Sequence, residues 1–141
     1  MCGNKASKKR FFERGSATVE LAVVLPILLG FVFGILEFGR IMMVYHSLSN
    51  AARAGARIAA LPGADNDAVL AAINEELAGF GLSFDECELT PADVTDADRD
   101  DPVTVCVRVD YDSIAWVSGF LPGLSGTKLQ GTVVMRKEGF G

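Results

Sequence analysis

The sequence has little of what enzymes are commonly built around. Its 141 residues include a single histidine, His46, one tryptophan and three cysteines. It contains no glycine-rich phosphate loop, no run of residues at metal-ligand spacing and no Cys-x-x-Cys pair. His46 has no nucleophile pattern beside it and reads as a surface or helix-packing residue. No catalytic site, metal or cofactor is expected, and the chain is not predicted to be an enzyme. An excess of basic residues is missing too. Thirteen Lys and Arg stand against eighteen Asp and Glu, a formal net charge of -5, which argues against nucleic acid as a partner. No small-molecule substrate is evident. Fifteen glycines and five prolines are too few for a collagen or a low-complexity chain.

What is present is unevenly distributed. Half of the residues are hydrophobic and the mean hydropathy is +0.30, although 22% are charged. Residues 1–15 carry Lys5, Lys8, Lys9, Arg10 and Arg14 against Glu13, a net +4, and the remainder carries eight basic against seventeen acidic residues, a net -9. Between head and body lies Leu21 to Leu36, LAVVLPILLGFVFGIL, without a charge. With its uncharged flanks it reaches the roughly twenty residues that a membrane-spanning helix needs. Residues 16–38 are therefore predicted to span a membrane, with Glu20 and Glu37 as the only charges inside the span. A cleaved secretory signal would end in small residues, whereas this run ends in ILEFGR. A soluble core helix of this kind would need more surrounding protein than the remaining ~100 residues supply. Lys and Arg stay on the cytoplasmic side. Residues 1–15 are thus expected to be a cytoplasmic leader, and the acidic body to lie outside a bacterial inner membrane.

Helical character extends past the span. EFGRIMMVYHSLSNAARAGARIAAL, from Glu37 to Leu61, has no proline, and Pro62-Gly63 is a stop. A helix from Ser16 to Leu61 would be about 70 Å long at 1.5 Å per residue, with a kink or loosened turn expected near residues 22–26 because Pro26 lies inside it. Gly30 and Gly34 form a GxxxG step that admits a neighbouring helix at close range, or they reflect the ordinary composition of membrane helices. Ala51, Ala52, Ala54, Gly55 and Ala56 keep the outer part thin as well. Arg53 and Arg57 share a face and can meet anionic headgroups or acids of the body. Glu37 and Arg40 stand at i,i+3 at the outer boundary, where a solvated structural pair is expected.

Residues 62–141 read as a small α+β domain outside the membrane, marginal in size and supported by the long helix. Asp65 or Asn66 can cap a helix over AVLAAINEELAGF, whose apolar residues recur at helical spacing and which ends near Gly79 or Gly81. Leu82 to Leu89 is a predicted strand. Val103 to Tyr111 is a stronger one, with Val103, Val105, Val107, Val109 and Tyr111 on one face and Thr104, Cys106, Arg108 and Asp110 on the other. KLQGTVVMRKE closes an antiparallel sheet. Asp96, Asp98 and Asp100 alternate as in a calcium loop, but Asp101 and Val107 occupy the glycine and glutamate positions, which leaves a solvated acidic loop. Cys87 and Cys106 lie in candidate neighbouring strands where a disulfide can persist; whether their side chains face each other is left open. Cys2 reads as a cytoplasmic thiol. The apolar loop with Ile114, Trp116, Val117, Phe120, Leu121 and Leu124 can cap the sheet, dock on the membrane or meet another subunit.

The junction RFFERGSATVELAVVLP resembles the processing site of type IV pilins and pseudopilins. Residues 14–57 as a whole resemble the TadE-like family, pseudopilin-like proteins encoded with the Flp (tight adherence) pilus and related secretion machinery. GSATVEL, the Leu25-Pro26 step, EFGR and NAARAGAR carry the resemblance, and Ala54 departs from it where an acidic residue is common. The resemblance implies that Gly15 precedes a bond cut by a prepilin peptidase, that Ser16 becomes the new N-terminus, and that Glu20 is the fifth mature residue. It further implies that Glu20 sets helix register, and Glu20, Gly30, Gly34, Glu37 and Arg40 are the candidate residues for helix register and assembly with other pilin-like subunits. A carboxylate in an apolar helix is costly without a partner; the freed amine of a neighbouring Ser16 would be one, and a position at the lipid-water boundary is the plainer account. The expected function is assembly of a Flp/Tad-type pilus or a related secretion apparatus. The alternative is an unprocessed single-pass envelope protein whose outer domain binds a ligand or the cell wall.

Overall fold

The computed structural model describes residues 6–115, 123 and 125–139, with side chains from Ala17 onward. The chain divides into two compact units, Met1–Leu36 and Glu37–Gly141. Helix α1, Ala6–Ala60, contributes to both. It begins ahead of the expected Ser16, within a basic stretch of good helix formers, and its helical assignment runs through Pro26 without interruption. In the first unit the apolar side chains are open: Val19, Phe31 and Ile35 are all at least 66% exposed. α1 is long and apolar enough to cross a membrane, and none of its most apolar window is buried.

The second unit holds the rest of α1, then α2 (Asn66–Ala78), β1 (Glu86–Thr90), a 3-10 turn at Val94–Asp96, β2 (Pro102–Asp110), the one-turn α3 (Tyr111–Ile114) and β3 (Lys128–Arg136). The strands form an antiparallel sheet in the order β1-β2-β3. A long apolar N-terminal helix followed by a small α+β unit is the architecture expected from the sequence. The valine face predicted for β2 is the buried one, since Val103, Val105, Val107 and Val109 are all buried, while on the opposite face Cys106 alone is buried as well. They pack with Val44, Leu48 and the Ala51, Ala52, Ala56 and Ala59 stripe of α1, and with Val69, Ile73 and Leu77 of α2. Of the residues that thin the outer half of α1, Ala51, Ala52 and Ala56 thus face the unit's own core, and Ala54 lines a groove between α1 and α2.

Close approach explains why those residues are small. A Cβ at Gly55 would lie 2.7 Å from Ile73 Cγ1, a side chain with some freedom to turn away. At Gly131 of β3 it would lie 2.5 Å from the carbonyl carbon and oxygen of Leu48, which are α1 backbone and have none. Strand and helix meet there main chain to main chain.

The helix ends are well satisfied. Asp65 accepts the Ala68 N–H at 2.8 Å and so caps α2. Gly81, at φ +65°, ends it with a pair of bonds, Leu82 N–H to the Leu77 carbonyl at 3.1 Å and Gly81 N–H to the Ala78 carbonyl at 3.0 Å. This exit uses part of the sequence predicted as strand from Leu82, so β1 starts only at Glu86. At the C-terminus of α1, buried Lys137 donates from Nζ to the carbonyls of Ala59 at 3.1 Å and Val94 at 3.0 Å. Glu138 N–H reaches the Ala60 carbonyl at 2.8 Å. Carbonyls that a helix end leaves open are met here by the strand that returns beside it, and the ammonium sits where the helix dipole favours a cation.

The disulfide considered between Cys87 and Cys106 is not formed: both are free thiols. Register is the reason. Cys87 pairs with Val107 and Glu88 with Cys106, so the two cysteines are offset by one residue and project from opposite faces of the sheet. Cys87 packs against the core, and burial pushes its thiol upward from the ordinary value. Cys106 accepts a hydrogen bond from Thr132 Oγ1 at 3.3 Å on the other face.

The tight crossing leads to a specific expectation. Gly131→Ala forces a methyl group into the α1 backbone and should cost about 3 kcal/mol, the upper part of the usual overpacking range, whereas Gly55→Ala, which meets only a side chain, should cost less. Thermal unfolding of the detergent-solubilised protein, followed by circular dichroism, checks the order of the two.

Candidate functional site

The residues expected to carry assembly separate along α1 into two groups. Gly15 and Ser16 lie within the helical span of α1. Glu20 is exposed, and Gly30 and Gly34 are partly exposed. A Cβ at Gly30 would meet nothing within 4 Å, so this surface has room for a neighbour. From Ala17 to Leu36, then, α1 presents an apolar surface marked by the carboxylate of Glu20 and by Gly30 and Gly34.

Glu37 and Arg40 are arranged differently. The solvated i,i+3 pair expected from the sequence is not what the fold makes, because Glu37 is only 3% exposed. Tyr111 donates its hydroxyl to Glu37 Oε1 at 3.0 Å. Arg40 donates from Nε to the carbonyl of Ile114. Both side chains therefore turn towards α3, and two charges that mark the end of the apolar run in the sequence hold the turn that follows β2. Tyr111 is itself buried. Burial, reinforced by the carboxylate of Glu37, raises its hydroxyl above the ordinary tyrosine range.

Further along α1, exposed His46 stacks edge-on with Tyr45 at a centroid distance of 6.1 Å, in keeping with a surface histidine. Arg53 donates to Asn50 Oδ1 at 3.4 Å. Arg57 shares a shallow groove between α1 and α2 with Glu75 and Glu76.

The acidic stretch after β1 is occupied with its own backbone. Asp93 accepts from Thr95 N–H at 2.9 Å and from Thr95 Oγ1 at 2.7 Å, bonds that hold its carboxyl below the ordinary range. Asp101 accepts from Asp98 N–H at 3.0 Å. Among the described residues no group of three acids, histidines or cysteines is placed to hold a metal. On the outer face of the sheet Arg108 pairs with Glu88 and Lys128 with Glu86, each at 2.8 Å. Of the apolar loop, Ile114 is buried in α3, while Trp116, Val117, Phe120, Leu121 and Leu124 lie outside the described residues.

Sequence reasoning missed two residues of consequence. Tyr111 was read as one more member of an apolar face, and its place at the end of the valine alternation, where a phenol can reach beyond the sheet, was the available signal. Lys137 gave no signal, since nothing in VVMRKEG distinguishes a buried lysine from its solvated neighbours.

An exposed apolar helix of spanning length joined to a small folded unit points to association with a membrane. The comparisons narrow this. Residues 15–57 match the family described as TadE-like protein, less than a third of the chain, and this stretch contains every residue expected from the sequence to carry assembly. The match points to a protein associated with a Tad-type pilus. No curated protein and no solved structure matches the chain.

The buried phenol offers a direct check. A tyrosine raised above its unfolded value of about 10 stabilises the fold fully below that pH, and this contribution is lost as the pH climbs through the higher folded value. In a Tyr45→Phe background, where Tyr111 is the only tyrosine, ultraviolet titration should give a midpoint above 10, returning to about 10 in denaturant. Tyr111→Phe should cost about 2 kcal/mol by leaving a buried carboxylate short of a donor.

Proposed function

We propose that this chain is a pseudopilin-like component of a Flp/Tad-type pilus or related secretion apparatus, acting by assembly and not by catalysis. The basic head lies in the cytoplasm and the acidic unit outside the inner membrane. A prepilin peptidase removes the head after Gly15, which leaves Ser16 as the N-terminus and converts a net charge of -5 into -9 before the new termini are counted. The observation that carries this reading is a coincidence of two kinds of support. The TadE-like match at residues 15–57 falls on the part of α1 whose first half is apolar and uncovered.

In this mechanism the exposed surface of the span packs against other pilin-like helices. Gly30 and Gly34 allow close approach, because association in lipid rests on van der Waals contact between small residues. Glu20 pairs with the freed amine of Ser16 on a neighbouring subunit. Such a pair sets the axial register of the packed helices. The outer unit then meets its partners with an acidic surface.

N-terminal sequencing of protein from a native host, with and without its prepilin peptidase, is the most direct test. A chain that starts at Ser16 only when the peptidase is present supports the reading, and an intact head in both samples overturns processing. Glu20→Ala should insert normally and abolish or sharply reduce assembly; normal assembly of that variant would exclude the pairing.

A further inference from the structure

The apolar run of the sequence ends at Leu36, with Glu37 and Arg40 just beyond it. In the fold neither charge marks an outward boundary. Glu37 is buried against Tyr111, and Arg40 is half-buried and bonded to Ile114. The side chains that α1 does present outward in the next two turns are apolar: Phe38 is 60% exposed, Met42 41%, Met43 40% and Tyr45 48%. Phe38, Met42 and Tyr45 recur at i, i+4 and i+7, on one stripe of the helix. Beyond Tyr45 the exposed residues become polar, through His46, Asn50, Arg53 and Arg57.

We infer that this stripe is seated in the outer leaflet of the membrane, so that the hydrocarbon region reaches Met42 and the lipid-water boundary falls at Tyr45 and His46. The inference rests on the membrane-spanning reading above. Lipid is the occupant that the chain itself supplies, because the stripe follows the apolar run without a break in sequence. Tyrosine is also the kind of residue that gathers at the headgroup level, with an apolar ring and a polar tip.

The shift has a consequence at the other end. A hydrocarbon layer of about 30 Å takes about twenty helical residues, so a layer that ends near Met42 begins near Val23. Glu20 then stands at the cytoplasmic headgroup level, where an unpaired carboxylate is tolerated before assembly. A span of residues 16–38 would instead place it inside the layer.

Depth-dependent fluorescence quenching tests this in the full chain. The protein, in a Trp116→Phe background, is reconstituted at low density into phosphatidylcholine vesicles brominated near the headgroup end of the acyl chains. Single tryptophans are introduced as Leu28→Trp, Phe38→Trp, Met42→Trp and Asn50→Trp, all at exposed positions. The expected result is loss of most fluorescence at positions 38 and 42, with position 50 unaffected. Leu28→Trp, quenched by lipid brominated deeper in the chain, reports the span itself. If it is quenched while position 42 behaves like position 50, whether or not position 38 is quenched, the proposal is wrong and the shorter span stands. If position 28 is not quenched either, the membrane reading fails with it. Protection of positions 38 and 42 even at low density, relieved only by detergent, would assign the stripe to a second copy and overturn lipid as its occupant.

Discussion

Val103, Val105, Val107 and Val109 line one face of a sheet of only three strands, and a sheet of that size has nothing of its own to cover them. α2 contributes three buried side chains. Most of the remaining cover comes from α1, whose outer half lays a stripe of alanines against the sheet. The long helix is therefore required twice, once by an apolar environment along its first half and once by the core of the outer unit along its second. Its sequence follows this division. Bulky Leu, Val, Ile and Phe dominate where its side chains are exposed, and Ala and Gly take over where β3 and α2 come close.

The closeness sets further limits. A strand that touches a helix through its main chain admits no side chain at the crossing, hence Gly131. Once the strand is held there, its continuation brings Lys137 and Glu138 to the open carbonyls at the end of α1. The charges on the opposite face of the sheet are less constrained. The Arg108 and Lys128 pairs are substantially exposed, and such pairs contribute about 1 kcal/mol or less. They neutralise the outer face locally within an acidic unit.

Features set by local rules were legible in the sequence: the apolar run, the stop at Pro62-Gly63, the Asp65 cap, the valine alternation of β2, and the residues that carry the TadE-like resemblance. Features set by distant contacts were not. Glu37 and Tyr111 are 74 residues apart, and no local pattern says that a carboxylate at a helix boundary will be claimed by a phenol from the end of a strand. The cysteines show the same limit. Placing them in adjacent strands was correct, but a register offset of one residue turns two neighbours into residues on opposite faces, and register follows from the whole sheet. Nothing in KLQGTVVMRKE marks Gly131 as obligatory, because the atoms it must avoid belong to Leu48, far away in the chain.

The contacts of β3 with α1 also have a mechanical meaning. Gly131 lies at Leu48 and Glu138 at Ala60, so later residues of the strand meet later residues of the helix, and the two run alongside each other in the same sense. A pull on the N-terminal part of α1 would load these contacts together in shear. It would not peel them apart one after another. Tension entering through the helix is thereby shared with the middle of the sheet, and the outer unit can be carried along as a single body.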